Sequence, residues 1–143
     1  MAVAQNNPYA QYKETEISTA NQGKLIVMLY DGAIKFLNVA LENLPTKKYD
    51  VVNNHILKAQ DIISELMLSL NMEAGGQIAQ NLFSIYVYIK KLMIDANIQK
   101  KPEGLHEALK YLKDLRDAWN QIASKESKND SAQSSKGSFS IEG

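Results

Sequence analysis

Side chains that usually catalyse reactions or bind metals are few in this sequence. The two histidines, His55 and His106, fall in separate segments; only His106 has a Glu-x-x-His spacing, from Glu103, and one such pair without further ligands on facing helices does not predict a metal site. There is no cysteine, which excludes a thiolate nucleophile, a thiolate metal site and a disulfide. We therefore predict no catalytic residue, no metal site and no bound cofactor.

The glycine pair and the acidic residues also lack a catalytic pattern. The stretch EAGGQIA has no Gly-Lys-Ser/Thr sequence of a phosphate-binding loop, so it is interpreted as a helix break followed by a helix start. Asp31 is an isolated acid, and the carboxylates of KDLRDAW can pair with basic residues one helical turn away. A helical-bundle enzyme would need carboxylates and histidines clustered on facing helices, and the sequence predicts no such cluster.

The charge balance favours no class of charged partner. Lys and Arg together number 16, Asp and Glu together number 16, and the formal net charge at pH 7 is zero. No basic track accompanies the tyrosines, so we expect no nucleic-acid binding. No apolar run approaches the roughly 20 residues that cross a bilayer, and the first residues lack a signal-peptide pattern. We expect a cytoplasmic protein without membrane insertion, whose partners are selected by shape and apolar contact.

Apolar residues recur every three or four positions, which predicts an all-α protein. We place helices at about 20–44, 50–70, 77–99 and 102–124, with Asp50 as an N-cap and Pro102 in a first turn. The glycines of NMEAGG separate the second helix from the third. Rods of similar length with short loops pack best as an antiparallel four-helix bundle, here one domain over residues 18–124.

The two ends of the chain are predicted to lie outside the bundle. Residues 1–17 contain Tyr9, Tyr12 and Ile17, and we expect an extended arm that can adhere to an apolar surface. Residues 125–143 are rich in Ser, Lys and Asn, so we expect a flexible tail, part of which has the composition of an artificial extension.

The predicted helices carry more apolar surface than a bundle core requires. The first helix has a polar strip covering only roughly 60° of its circumference, whereas the fourth has a single apolar half that includes Tyr111 and Ile122. On the third helix, Ile78 belongs to the predicted core face. Surplus side chains occupy a second flank of the first helix, a second stripe of the third and, more weakly, the second helix: Val27, Tyr30, Ile34, Leu41, Phe83, Val87, Ile94, Leu57 and Leu68.

The surplus apolar side chains have three interpretations. Contiguous exposed apolar area usually marks a contact surface, and a groove between helices suits an amphipathic helix from another chain. Alternatively, neighbouring helices or the N-terminal arm cover these residues, or a second copy of the chain packs on them as a weak homodimer. The residue pattern alone favours a helix-binding module and leaves all three open.

Three stretches of the chain resemble the FliS family, the bacterial flagellar secretion chaperones that escort flagellin. They are TANQGKLIVMLYDGAIKFL, LKAQDIISELMLSLNMEAGGQIAQNLFSIYVYI and LKDLRDAWNQI, preceded by the early tyrosine of YAQY. Leu29, Tyr30, Asp31 and Gly32 match a family motif, whereas the family often has proline where Gln22 stands. The combination is specific because the order and the spacing both match.

The resemblance implies a cytosolic, non-enzymatic export chaperone built as an antiparallel helical bundle. In such a protein the C-terminal segment of flagellin wraps around the chaperone in apolar grooves, which prevents premature polymerisation. The complex is then presented to the flagellar type III export gate. The resemblance also implies that the arm with Tyr9, Tyr12 and Ile17 lies over the groove when no client is bound.

Overall fold

The computed structural model describes the backbone of residues 22–142 and the side chains of residues 22–125. Over this range the backbone forms four helices and no strand: α1 (Gln22–Asn43), α2 (Tyr49–Ser69), α3 (Met72–Gln99) and α4 (Glu103–Glu142). The predicted all-α class is therefore confirmed. The predicted N-terminal arm, residues 1–17, lies outside the described residues.

The chain divides into two compact units. The larger unit, Leu29–Arg116, contains most of α1, all of α2 and α3, and the first part of α4. The described residues of the smaller unit are 22–28, which begin α1, and 117–142, which continue α4. Within the smaller unit Leu25, Ile26 and Ala123 are buried.

In the larger unit α1 and α2 run antiparallel in close contact. Gly32 of α1 faces Ile62 of α2, and a Cβ atom added at Gly32 would lie 3.1 Å from the Ile62 Cδ1 atom. One turn later, the Phe36 ring meets the edge of the His55 ring at a centroid distance of 6.0 Å. Residue numbers increase along α1 from one contact to the next, whereas those of the contacted residues on α2 decrease, so the two helices are antiparallel.

The next two helix pairs are antiparallel as well. Asn97 donates a hydrogen bond to the Asn53 side chain, which fixes α3 against the start of α2. At Gly104 a Cβ atom would lie 3.0 Å from the Leu92 carbonyl oxygen, so the first turn of α4 lies directly on α3. Because successive helices alternate in direction, the larger unit is the predicted antiparallel four-helix bundle.

The interior of the bundle is apolar. Every residue classed as buried among the described side chains is apolar or a tyrosine, apart from a glycine. On α1 the predicted core positions Leu29, Ala33, Leu37 and Ala40 are all buried, as the 3.6-residue periodicity requires. Periodicity therefore locates the centre of the core correctly.

The second helix begins one residue before the predicted N-cap. Its N-cap position is Lys48, which makes no side-chain capping bond, and Asp50 lies in the first turn instead. The prediction of Asp50 as an N-cap is therefore wrong. A carboxylate in the first turn still interacts favourably with the positive end of the helix dipole.

The third helix begins earlier than predicted and bends at the glycine pair. Asn71 caps it by accepting a hydrogen bond from the Ala74 amide at 3.0 Å, so the helix starts at Met72 rather than near Gln77. Gly76 has φ 53° and ψ −130°, a conformation that strongly favours glycine, and the helix bends there. The predicted break is therefore confirmed, because the backbone leaves the helical conformation at Gly76, immediately before the predicted helix start at Gln77.

The fourth helix extends beyond its predicted end. The His106 amide bonds to the Pro102 carbonyl, and the helix starts at Glu103, close to the predicted start. It continues to Glu142 rather than ending near Ser124. No proline follows Pro102 in the sequence, so no residue there enforces a helix stop. The mobility expected of residues 125–143 stays a prediction.

Two lysines outside the regular helices have left-handed backbone conformations. Lys47, in the turn after α1, has φ 58°, and Lys100, the C-cap of α3, has φ 54°. Glycine or asparagine usually occupies such positions because a Cβ atom is crowded there. Both lysines lie at the same end of the larger unit, where α1 leads into α2 and α3 leads into α4.

Candidate functional site

Exposed apolar side chains line one face of α2 and α3 in the larger unit. Leu68 is 82% exposed, and the other four members are between 39% and 46% exposed. We call this set the α2–α3 strip, and it consists of Leu57, Leu68, Phe83, Val87 and Ile94. All five belong to the surplus side chains that the sequence analysis identified.

Helical periodicity and interhelical bonds explain why the members of the strip lie on the same side of the two helices. Leu57 and Leu68 lie three turns apart on α2, within roughly 20° of each other, and the three α3 members lie within roughly 40°. Lys90 donates a hydrogen bond to the Ser64 hydroxyl at 2.9 Å. Together with the Asn97–Asn53 bond of 2.8 Å, this contact sets the register of the two helices.

The register places apolar residues of the two helices at matching heights. Leu57 is level with Ile94, and Leu68 is level with Phe83 and Val87, over a length of roughly 16 Å. Both interhelical hydrogen bonds cross the seam between the helices, and the strip lies on the solvent side of that seam. The length of the strip matches about three turns of an additional helix.

The surplus residues predicted on α1 occupy a different environment. Tyr30 and Ile34 are buried, so the prediction that they lie on an exposed flank is wrong. The physical reason is that α1 packs against more than one helix: Gly32 approaches α2, and Tyr30 meets Tyr86 of α3. Val27 and Leu41 are half-buried, and Tyr9, Tyr12 and Ile17 lie outside the described residues.

A tyrosine pair joins α1 to α3 inside the bundle. The hydroxyl oxygens of Tyr30 and Tyr86 lie 2.5 Å apart, and both side chains are buried. Burial raises the pKa of the Tyr86 hydroxyl above its ordinary value of 10.0, and the hydrogen bond with Tyr30 opposes part of that increase. The Tyr86 hydroxyl is therefore neutral at physiological pH, and the two buried tyrosines act as a structural pair.

A second surface feature, a groove of about 390 Å³ between α3 and α4, was missed by the sequence analysis. Tyr88 donates a hydrogen bond of 2.7 Å to Glu107, and the rings of Tyr88 and Tyr111 meet edge-to-face at 5.9 Å. The bond to Glu107 raises the pKa of Tyr88. The groove is lined by Ser84, Ile85, Tyr88, Tyr111, Asp114 and Leu115.

Three residues predicted to face the core are exposed instead: Ile78, Tyr111 and Ile122. Ile78 has the angular position of a core residue, but the register places it beyond the end of α2 at Ser69. Tyr111 lies at the edge of the α3–α4 contact, where its ring packs on Tyr88. The angular position of a residue on its helix predicts neither the exposure of Ile78 nor that of Tyr111. The exposure of Ile78 could have been predicted by counting residues from the helix ends.

His55 and Asp31 make structural contacts with neighbouring residues. The His55 Nδ1 atom lies 2.8 Å from the Val51 carbonyl oxygen of its own helix, and its ring packs on Phe36. Asp31 pairs with Arg116 at 3.3 Å, joining α1 to α4. In the part of the chain that the structure describes, no three residues of the types His, Cys, Asp or Glu are grouped to hold a metal ion.

None of the described helices combines the length and the apolar character needed to cross a membrane.

Together, the fold and the surface define an all-α helical-bundle protein. Residues 5–126 match the family described as Flagellar protein FliS. The chain belongs to this family, and the relatives it matches are flagellar secretion chaperones. The resemblance noted in the sequence is thereby confirmed.

Relatives from three bacteria match most of the chain. The flagellar secretion chaperone FliS of Bacillus subtilis is 33% identical over 126 residues, which cover 88% of this chain and 93% of that protein. The FliS of Salmonella typhimurium is 35% identical over 123 residues, covering 83% and 90%. The FliS of Vibrio cholerae is 31% identical over 109 residues, covering 76% and 80%.

Proposed function

We propose that this chain is a cytoplasmic export chaperone that binds the C-terminal segment of flagellin on the α2–α3 strip. Binding would bury the apolar face that the client needs for polymerisation and would hold the client until delivery to the flagellar type III export gate. The observation that carries the proposal is the strip itself, five exposed apolar residues on adjacent helices. Family membership supplies the flagellar context.

The chemistry of the strip suits an amphipathic helix. Its two ends are apolar, Leu57 with Ile94 and Leu68 with Phe83 and Val87, and the Lys90–Ser64 hydrogen bond lies between them. A typical protein interface combines apolar contact with hydrogen bonds, so polar groups between the two apolar ends are compatible with client binding. A client helix would place alternate turns against Leu57 and Ile94 at one end and against Leu68 at the other, in the groove-binding mode of amphipathic helices.

The energetics favour reversible binding without a nucleotide. A standard protein interface buries roughly 1,600 Å², but ordering a disordered client offsets much of the gain. We therefore expect a dissociation constant between about 1 μM and about 1 nM. Affinity in that range holds the client and still permits its release.

Isothermal titration of the full chain with a flagellin C-terminal segment tests the proposal. We expect saturable one-to-one binding that is weakened by Val87→Asp and by Ile94→Asp. The matched control is Ile122→Asp, because Ile122 is 44% exposed, close to the 46% of Val87, but lies outside the strip. An absence of heat with the unmodified chain, or an equal loss in the control, would contradict the proposal.

A second candidate function is self-association through the same strip. The same exposed apolar residues would then pack against another copy of the chain as a weak homodimer. Light scattering distinguishes the two functions. A dimer that persists at low micromolar concentration and does not dissociate when the flagellin segment is added would support self-association.

A further inference from the structure

One end of the larger unit carries a concentration of positive charge. The turn between α1 and α2 contains Lys47 and Lys48, and the turn between α3 and α4 contains Lys100 and Lys101. The Lys100 ammonium lies 5.8 Å from the centre of the Tyr49 ring, so the two turns are neighbours. We call these four lysines the lysine tip.

The lysine tip is a local excess on a chain whose net charge is zero. Within residues 44–50 and 98–104 the four lysines are opposed by two acids, Asp50 and Glu103, which leaves a formal charge of +2 (4 − 2). At the other end of α2 the sequence from Glu65 to Gln77 contains acids but no lysine or arginine. The lysine tip is therefore more positive than the connection between α2 and α3.

Backbone conformation supports a role for these lysines beyond filling turns. Lys47 and Lys100 are the two residues other than glycine with positive φ among the described residues. Glycine would fit both positions with less crowding, so lysine is not the residue that the backbone favours there. At Lys100 part of the reason is local, because its ammonium bonds to the Asn97 carbonyl at 2.6 Å. Within residues 22–125 no comparable contact of the Lys47 ammonium is seen.

Apolar groups lie among the charges. Ile98, in the last turn of α3, is 76% exposed, and Tyr49, the first residue of α2, is 41% exposed. Lysines around an exposed aliphatic side chain and a tyrosine resemble the composition of surfaces that contact lipid headgroups. The tip has lysines and no arginine, so it lacks the planar guanidinium group that binds a carboxylate through two hydrogen bonds in a fixed geometry. A diffuse anionic surface fits this chemistry better than a defined acidic peptide.

We propose that the lysine tip binds reversibly to the surface of an anionic membrane, without insertion. The lysines would lie at the headgroup level, and Ile98 and Tyr49 would enter the interface beside them. The acidic connection between α2 and α3 would be repelled, so the bundle would bind end-on and leave the α2–α3 strip accessible. This inference goes beyond client binding and does not depend on it.

Sedimentation of the full chain with lipid vesicles tests the inference. We expect binding to vesicles of equal parts phosphatidylglycerol and phosphatidylcholine, much weaker binding to phosphatidylcholine alone, and loss of binding as salt is raised. The variant Lys48→Gln with Lys101→Gln should bind about 30-fold more weakly, since each lysine near an anionic surface contributes about five-fold. The control is Lys110→Gln with Lys113→Gln, which removes two exposed charges from α4.

The controls distinguish membrane binding by the lysine tip from binding by overall charge, from binding to neutral lipid and from binding to an acidic protein. An equal loss in both double variants would overturn the inference, because overall charge rather than the tip would then control binding. Binding that is equally strong on neutral vesicles would overturn it as well. Tight binding to soluble poly-glutamate without binding to anionic vesicles would also overturn it and would assign the tip to an acidic protein partner. Urea unfolding of each variant verifies that the fold is intact.

Discussion

Alanine substitutions at Ile34 and Val87 should affect stability and client binding in opposite order. Both residues belong to the surplus apolar side chains predicted from the sequence, but Ile34 is 7% exposed and Val87 is 46% exposed. Ile34→Ala removes three carbon atoms from a close-packed site. At about 0.8 kcal/mol per buried carbon plus a cavity term, we expect a loss of about 3 kcal/mol in the free energy of unfolding.

Val87→Ala should leave stability almost unchanged. It removes two carbon atoms that are about half-buried, a loss of about 0.8 kcal/mol, and alanine regains about 0.5 kcal/mol of helix propensity. Under the proposed function the exposed half of Val87 becomes buried against the client. The variant should therefore bind the flagellin segment about four-fold more weakly, which corresponds to about 0.8 kcal/mol.

Urea unfolding followed by circular dichroism measures the first effect, and calorimetric titration measures the second. A loss below about 1 kcal/mol for Ile34→Ala would refute its assignment to the core. If Val87→Ala destabilised the chain as much as Ile34→Ala, the α2–α3 strip would be part of the interior. Unchanged client affinity in a stable Val87→Ala variant would instead remove Val87 from the binding surface.

Two further predictions concern the interior tyrosine pair and the bend of α3. Because the pKa of Tyr86 is raised in the folded chain, its contribution to stability is present below pH 10.0 and is lost as pH rises through the higher folded pKa. Tyr86→Phe should therefore reduce the loss of stability at alkaline pH, measured by urea unfolding. An unchanged loss would contradict this prediction. Gly76→Ala should lower the free energy of unfolding by about 1–2 kcal/mol, because φ is 53° there, and a stabilised variant would show that the bend is not required.

The residues at the centre of the core could be predicted from the sequence, whereas the fraction of the α1 circumference that is buried could not. Periodicity identified Leu37 and Ala40 because residues three and four apart share one face of a helix. It could not show that α1 contacts both α2 and α3. Contact with two neighbours buries a wider arc than contact with one, and this places Tyr30 and Ile34 inside the bundle. The apolar excess on α1 is therefore largely a packing requirement.

The strip on α2 and α3 was predictable because its members lie at a different angle around their own helices from the residues that face the core. Phe83, Val87 and Ile94 form a stripe beside the core face, and no described helix covers them enough to bury them. The groove around Tyr88 and Tyr111 was not predictable in the same way, since it depends on where α4 lies against α3. Pairing between helices is a tertiary property that single-helix patterns do not contain.

The α2–α3 strip and the lysine tip should respond differently to solution conditions. The strip is apolar, so client binding should show a negative heat-capacity change and little dependence on salt. The tip acts through exposed charge, so its interaction should weaken as salt shortens the screening length from roughly 30 Å at 0.01 M to roughly 10 Å at 0.1 M. A chaperone with both surfaces could keep its client at an ionic strength that releases it from a membrane. Client binding and membrane binding would then be controlled independently, because they depend on separate residues and on different forces.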